Sequence, residues 1–218
     1  MSERSRCRIQ ITFREEDPVK YISHLDLIRA WERILRRAGM PVAYSQGFNP
    51  HPRITVAMPL PVGCTGEREV IDVLLDEPLS TAQVIVSLEP ALPPGISVVE
   101  ARHVPLADPP LPSLICEAHY QLTLTGTSRA VVEQRVAELM DRKECPVEFR
   151  RKTYDLRPLI RSLTVCGAGD GVTLEAALLR DPRGRIGRPD VLLQALDLSE
   201  YARRLHRTRI VFAPHAPK

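Results

Sequence analysis

Aromatic side chains are scarce in this chain: five tyrosines, four phenylalanines and one tryptophan make up 5% of 218 residues. Any surface that stacks on flat rings is therefore confined to a few positions. Cysteine is equally uninformative as a framework, because Cys7, Cys64, Cys116, Cys145 and Cys166 are odd in number, scattered, and never spaced as CxxC. That pattern excludes a disulfide scaffold and gives no CxxxCxxC iron–sulfur motif. Neither a Walker loop nor a GxGxxG fingerprint is present, so P-loop and Rossmann nucleotide sites have no support. No apolar run approaches the roughly twenty residues that a membrane helix needs, and no apolar leader opens the chain. These absences lead us to expect a cytoplasmic protein with no cofactor, no metal and no membrane partner. Strong charge is missing too, since 30 basic residues face 27 acidic ones for a net +3. That excess is too small to argue for nucleic-acid binding by itself.

The charge is nevertheless unevenly spread. Residues 1–60 carry ten basic and six acidic side chains, residues 61–127 two and nine, and residues 180–218 nine and four. Two basic ends flanking an acidic middle suit a surface that meets a polyanion on one side.

The run Tyr21–Leu60 concentrates most of the chemistry. Ser23 and Asp26 form an acidic variant of the capping box that starts a helix, and Gly39 followed by Pro41 ends it. At about 100° per residue, Leu27, Ile28, Trp31, Ile34, Leu35 and Ala38 share an apolar face, with Arg29, Arg33, Arg36 and Arg37 opposite. Asp26 is placed to neutralise Arg29, and Glu32 to pair with Arg36. Arg33 and Arg37 are thus expected to be free for an anion, although an ordinary solvated helix face fits the same pattern. The wheel puts His24 on the apolar side of the first turn. It is a candidate catalytic group or else a half-buried structural histidine.

After the helix comes a polar loop, Tyr44–Arg53. Gly47 permits a sharp turn, and Pro50 and Pro52 hold Asn49 and His51 extended. Tyr44, Ser45, Gln46, Phe48, Asn49, His51 and Arg53 are candidate contacts to RNA or another anion. A rigid connector whose Phe48 merely packs is the alternative.

Periodicity places strands at Arg8–Phe13, Arg53–Leu60, Glu69–Leu75 and Ile96–Val104, with a second helix capped by Ser80 and Gln83. The order strand, helix, strand, strand, helix, strand is that of a ferredoxin-like unit. Four prolines within Pro105–Pro112 suggest an extended linker. Beyond it, strands at Cys116–Thr125, Val147–Arg151, Gly171–Leu179 and Thr208–Phe212, a longer extended segment at Asp155–Val165 interrupted at Pro158, and helices at Arg129–Met140 and Asp190–Leu196 repeat the order. We therefore expect an α+β protein of two tandem ferredoxin-like (βαββαβ) units with antiparallel sheets. Residues 1–108 would form the first, 109–114 the linker and 115–218 the second. In the second unit Arg183, Arg185 and Arg188 bracket Gly184 and Gly187 ahead of a helix. This is a reasonable anion site, although a flexible hairpin tip with solvated charges is the reading the pattern favours.

The words SHLDL, the double arginine before Ala38–Gly39, SQGFNPHP, and later DLRPLI at Asp155–Ile160 and RPD at Arg188–Asp190 resemble the radical-SAM-linked family of unknown function. Its members stand alone or extend radical SAM proteins that carry a cobalamin-binding-like region. The resemblance implies a radical SAM enzyme as partner and work on RNA or ribosomes; it supplies no catalytic residues. The expected architecture is also similar to that of RAMP proteins that process CRISPR repeat RNA, without their glycine-rich loop.

Two expectations follow. The first is a non-catalytic accessory protein that binds or presents RNA to a radical SAM enzyme, with arginines on phosphates and Tyr44, Phe48 and His51 on unpaired bases. The second is a metal-independent endoribonuclease in which His24, His51 and Arg37 converge as acid, base and oxyanion stabiliser.

Overall fold

A computed structural model of the chain describes residues 6–167 and 171–214. The backbone divides into two compact units, one formed by the chain up to Leu114 with the segment that starts at Ala213, the other by Ile115–Phe212. Both are α+β with antiparallel pairing.

The first unit runs β1 (Cys7–Glu15), α1 (His24–Arg37), β2 (Ile54–Val56), β3 (Cys64–Leu75), α2 (Thr81–Leu88) and β4 (Ile96–Val104). Its strands lie in the order β4–β1–β3–β2, each antiparallel to its neighbour. Alternation along β1 sends Ile9, Ile11 and Phe13 into a core shared with Trp31, Ile34 and Leu35 of α1, Val84 and Leu88 of α2, and Ile71, Val73 and Leu75 of β3. Phe13 meets Trp31 edge to face at 5.0 Å, the arrangement that the ring quadrupoles favour. The even positions of β1 turn the other way into a polar network. Arg8 Nε donates to Asp72 Oδ2 (2.8 Å), Gln10 Nε2 to Asp72 Oδ1 (3.0 Å), and Arg102 Nε to Gln10 Oε1 (2.7 Å).

That network corrects one expectation. The proline-rich stretch is not a free spacer, because Arg8 also donates to the carbonyls of Asp108 (2.9 Å) and Pro109 (3.1 Å), and Leu111 is buried. Residues 109–114 belong to the first unit. The strand expected over Arg53–Leu60 shortens to Ile54–Val56, since Pro59 and Pro61 offer no N–H to continue a ladder. Conversely β3 starts at Cys64, five residues before the expected Glu69.

The second unit contains β5 (Ile115–Thr125), α3 (Arg129–Asp141), β6 (Pro146–Phe149), β7 (Lys152–Asp155), β8 (Ile160–Cys166), β9 (Gly171–Leu179), α4 (Pro189–Ala195) and β10 (Ala202–Phe212). Its sheet has the order β10–β5–β9–β8, again antiparallel throughout. Ala118, Tyr120, Leu122 and Leu124 of β5 are buried with Val132, Val136 and Leu139 of α3 and Leu192 of α4. Among the described residues β6 and β7 pair only with each other, as a hairpin outside this sheet. The last strand starts at Ala202 rather than Thr208; its arginines hide the alternation.

Candidate functional site

Helix α1 begins as its residues dictate. Ser23 Oγ accepts the Asp26 N–H (3.2 Å) and donates its own proton to Asp26 Oδ2 (2.7 Å), while Arg29 Nη1 donates to Asp26 Oδ1 (3.2 Å). The Ser23 hydroxyl, then Arg29, hold the Asp26 carboxyl below its ordinary pKa. His24 is exposed at the first helical position. It lies ahead of the core-facing turns, so the half-buried place given it by the helical wheel is not where it sits.

Five residues beyond Gly39, the chain enters the Tyr44–Arg53 loop, which is closed at its base by backbone pairing. The Arg53 N–H donates to the Ala43 carbonyl (2.8 Å), the Ser45 N–H to the His51 carbonyl (2.8 Å), and the His51 N–H to Ser45 Oγ (2.9 Å). Tyr44 bridges Pro52, and Ala43 and Arg53 are pinned to Leu74 of β3. Above this base Gln46, Phe48 and Asn49 are exposed, and Gly47 takes φ +133°, which favours glycine. Phe48 is fully exposed, with a relative accessibility of 107%. The ring stands in water on a loop fastened at its base. The alternative in which Phe48 packs is not what the structure has.

His51 and Arg53 line a cleft of about 520 Å³ with Ser45, Thr55, Arg8 and Asp72, floored by Leu74 and Leu111. Neither His24 nor Arg37 lines it. These two stand at opposite ends of a fourteen-residue helix, about 20 Å apart at 1.5 Å per residue. The structure therefore does not gather His24, His51 and Arg37 around one phosphate.

Arg37 is also not free, since its Nη2 donates to the Ala91 carbonyl at 2.5 Å. Arg36 takes its place: among the described residues no ion pair joins it to Glu32, and it is exposed. Arg33, Arg36 and Arg37 line a second cleft, of about 480 Å³, with Ala30, Ile34 and Pro93.

In the second unit the Arg183–Arg188 loop divides by role. Arg188 forks onto both carboxylate oxygens of Asp190 (3.0 Å each) and lies 4.3 Å from the centre of the Phe149 ring. Arg185 lies 4.4 Å from the centre of the Tyr154 ring. Arg183 is exposed at the turn. Asp190 and Phe149, which hold Arg188, were not anticipated as its partners. Among the described residues, no three His, Cys, Asp or Glu side chains come together as a metal-ligand set.

The sequence profile of a family described as uncharacterized proteins conserved in bacteria, DUF2344, matches residues 8–188. The chain belongs to this family. No curated protein matches the chain. Among solved structures, it is similar to a chain of a Cbf5–Nop10–Gar1 complex at 13% identity and TM-score 0.45, with 94% of this chain and 48% of that one covered. The DUF2344 chain thus spans about half the length of that match. It is also similar to an unknown protein from Galdieria sulphuraria (16% identity, 90% of each chain, TM-score 0.28). A third similarity is to the acetolactate synthase small subunit from Thermotoga maritima (14%, 94% of each chain, TM-score 0.26). At these scores none bears on what this family member does. No helix among the described residues is long and apolar enough to cross a membrane.

Proposed function

We propose that the protein is a non-catalytic RNA-binding module that presents unpaired RNA to a radical SAM enzyme, working through its first unit. Phe48 carries this reading: a fully exposed ring on a loop fastened at its base supplies a stacking surface for a base, ordered before the ligand arrives. His51 and Arg53 of the same loop offer hydrogen bonds and charge, and Arg33 and Arg36, which line the second cleft, offer further phosphate contacts. The radical SAM partner class rests on the SHLDL and SQGFNPHP words alone. In fold terms we read both units as ferredoxin-like, from the strand order in which the first strand lies between the third and the last.

The dispersal of His24, His51 and Arg37 favours binding over cleavage. The test is fluorescence anisotropy with a labelled oligouridylate and with a duplex of equal length, at about 50 and 200 mM salt, followed by a denaturing gel of the same samples. The reading expects preference for the single strand, steep salt dependence and intact RNA. Specific cleavage abolished by His51→Ala would replace it with the nuclease, and no binding to either RNA would end it.

A further inference from the structure

The hairpin of β6 and β7 has a register that pairs Phe149 with Lys152, leaving Arg150 and Arg151 as its entire two-residue turn. Both have positive φ, 50° and 61°, as the right-handed twist of a two-residue hairpin requires. Asn-Gly suits such a turn; two arginines in the left-handed region strain it. These are two of only three such non-glycine residues among the described part of the chain. A strained dipeptide kept at an exposed tip, where a relaxed one would close the same hairpin, points to a use for the side chains.

Their surroundings indicate which use. Arg150, Arg151 and Lys152 are exposed, and no carboxylate lies between Glu148 and Asp155. Asp155 is turned inward, accepting the Cys145 and Arg157 N–H groups at 2.7 and 3.0 Å. Arg188 and Arg185 lie against the rings of Phe149 and Tyr154, so these contacts hold the Arg183 turn to the hairpin. That turn is itself fastened: the Gly184 N–H donates to the Asp181 carbonyl (2.9 Å) and the Arg185 N–H to Asp181 Oδ1 (2.7 Å). Arg183 projects from it, exposed. Four cations thus stand on two coupled turns with no exposed large apolar side chain among them.

We propose that the β6–β7 tip, with Arg183, binds the phosphate backbone of a nucleic-acid strand. Guanidinium forks match phosphate oxygens, and cations on adjacent turns suit successive phosphates rather than one compact anion. The site does not depend on the reading of Phe48.

An abasic oligonucleotide, which keeps the phosphates and lacks the bases, removes the stacking on Phe48, and the variants below separate the hairpin's phosphate contacts from those of the first unit. The full-length protein is expected to bind a labelled abasic 12-mer at low salt. Arg150→Asn/Arg151→Gly should weaken that binding about tenfold and reduce the salt slope by about 1.4, at roughly 0.7 per single-strand phosphate contact. The thermal midpoint should hold or rise, because the relief of two left-handed arginines outweighs the loss of the Arg150 contact to the Phe149 ring, 5.3 Å from its centre. Arg183→Ala should reduce the slope by about 0.7. Phe48→Ala should leave abasic binding intact while weakening oligouridylate, so failure here and failure of the base-stacking reading are separately visible. Unchanged affinity and slope in the double variant, no binding of the abasic strand by wild type, or displacement of the strand by tripolyphosphate at equal phosphate concentration would each overturn the proposal. A lowered midpoint would refute the strain argument, and the Arg183→Ala slope would then decide the site.

Discussion

Truncating Phe48 to alanine separates binding from folding. The ring is fully exposed, so its removal uncovers no core and opens no cavity. Stability should move by less than about 0.5 kcal/mol, as for surface substitutions generally, and the thermal midpoint by less than about 3 °C. If a base stacks on the ring, its loss should cost about 1–3 kcal/mol, a rise in Kd of about 5- to 150-fold. No charge is removed, so the dependence of log K on log salt should keep its slope while the whole line drops. Phe48→Tyr should restore affinity, whereas Phe48→Leu, apolar but without a π face, should restore little. The assay is anisotropy with labelled oligouridylate over a salt series, with thermal unfolding run on the same preparations. A Kd within twofold of wild type would refute the stacking assignment. Full rescue by leucine would indicate an apolar docking contact, and a midpoint lowered by more than 5 °C would show that the ring does support the fold.

Other consequences can be checked alongside. Gly47→Ala meets no neighbouring atom, so its cost comes only from φ +133°, about 1–3 kcal/mol; faster exchange of the Ser45 and His51 amides and weaker RNA binding should appear together. Trp31 is fully buried against Phe13, and Trp31→Ala should cost about 3–5 kcal/mol in urea unfolding, a loss under about 1.5 kcal/mol contradicting its place in the core. Asp26 has a folded-state pKa below its unfolded value, chiefly through Ser23. Its contribution is therefore present above the unfolded pKa and disappears as pH falls through the folded one. In carboxyl NMR titration Ser23→Ala should bring Asp26 back up toward the ordinary aspartate range, and an unmoved titration would show that the hydroxyl is not the cause. Burial raises the Cys145 thiol pKa, so at pH 8 Cys145 should alkylate more slowly than exposed Cys116; equal rates, followed by mass spectrometry, would contradict its burial.

What the sequence determined by itself is the set of features whose cause is local. The α1 start at Ser23, its end before Gly39 with φ +64°, and the reciprocal Ser80–Gln83 capping box depend on neighbours within a turn, and each was legible from spacing alone. The alternation of β1 and β5 likewise announced which side chains enter the core, and SQGFNPHP was recognisable as a constrained polar loop. Tertiary structure decided the matters of partnership. Arg37 and Arg36 look alike on a helical wheel, and only the arrival of the Ala91 carbonyl, fifty-four positions further along the chain, occupies one of them. The proline-rich stretch has the composition of a spacer, yet Arg8, one hundred residues earlier, fastens the Asp108 carbonyl. His24 and Arg37 belong to one helix and are kept apart by its length, while His51 shares a cleft with Arg8 and Asp72. The Arg150–Arg151 turn was hidden for the opposite reason: its residues argue locally against a tight hairpin, and the Phe149–Lys152 pairing imposes one on them. A pattern of spacing encodes which face a residue occupies, but a hydrogen bond or a strained turn depends on what a distant segment brings against that face.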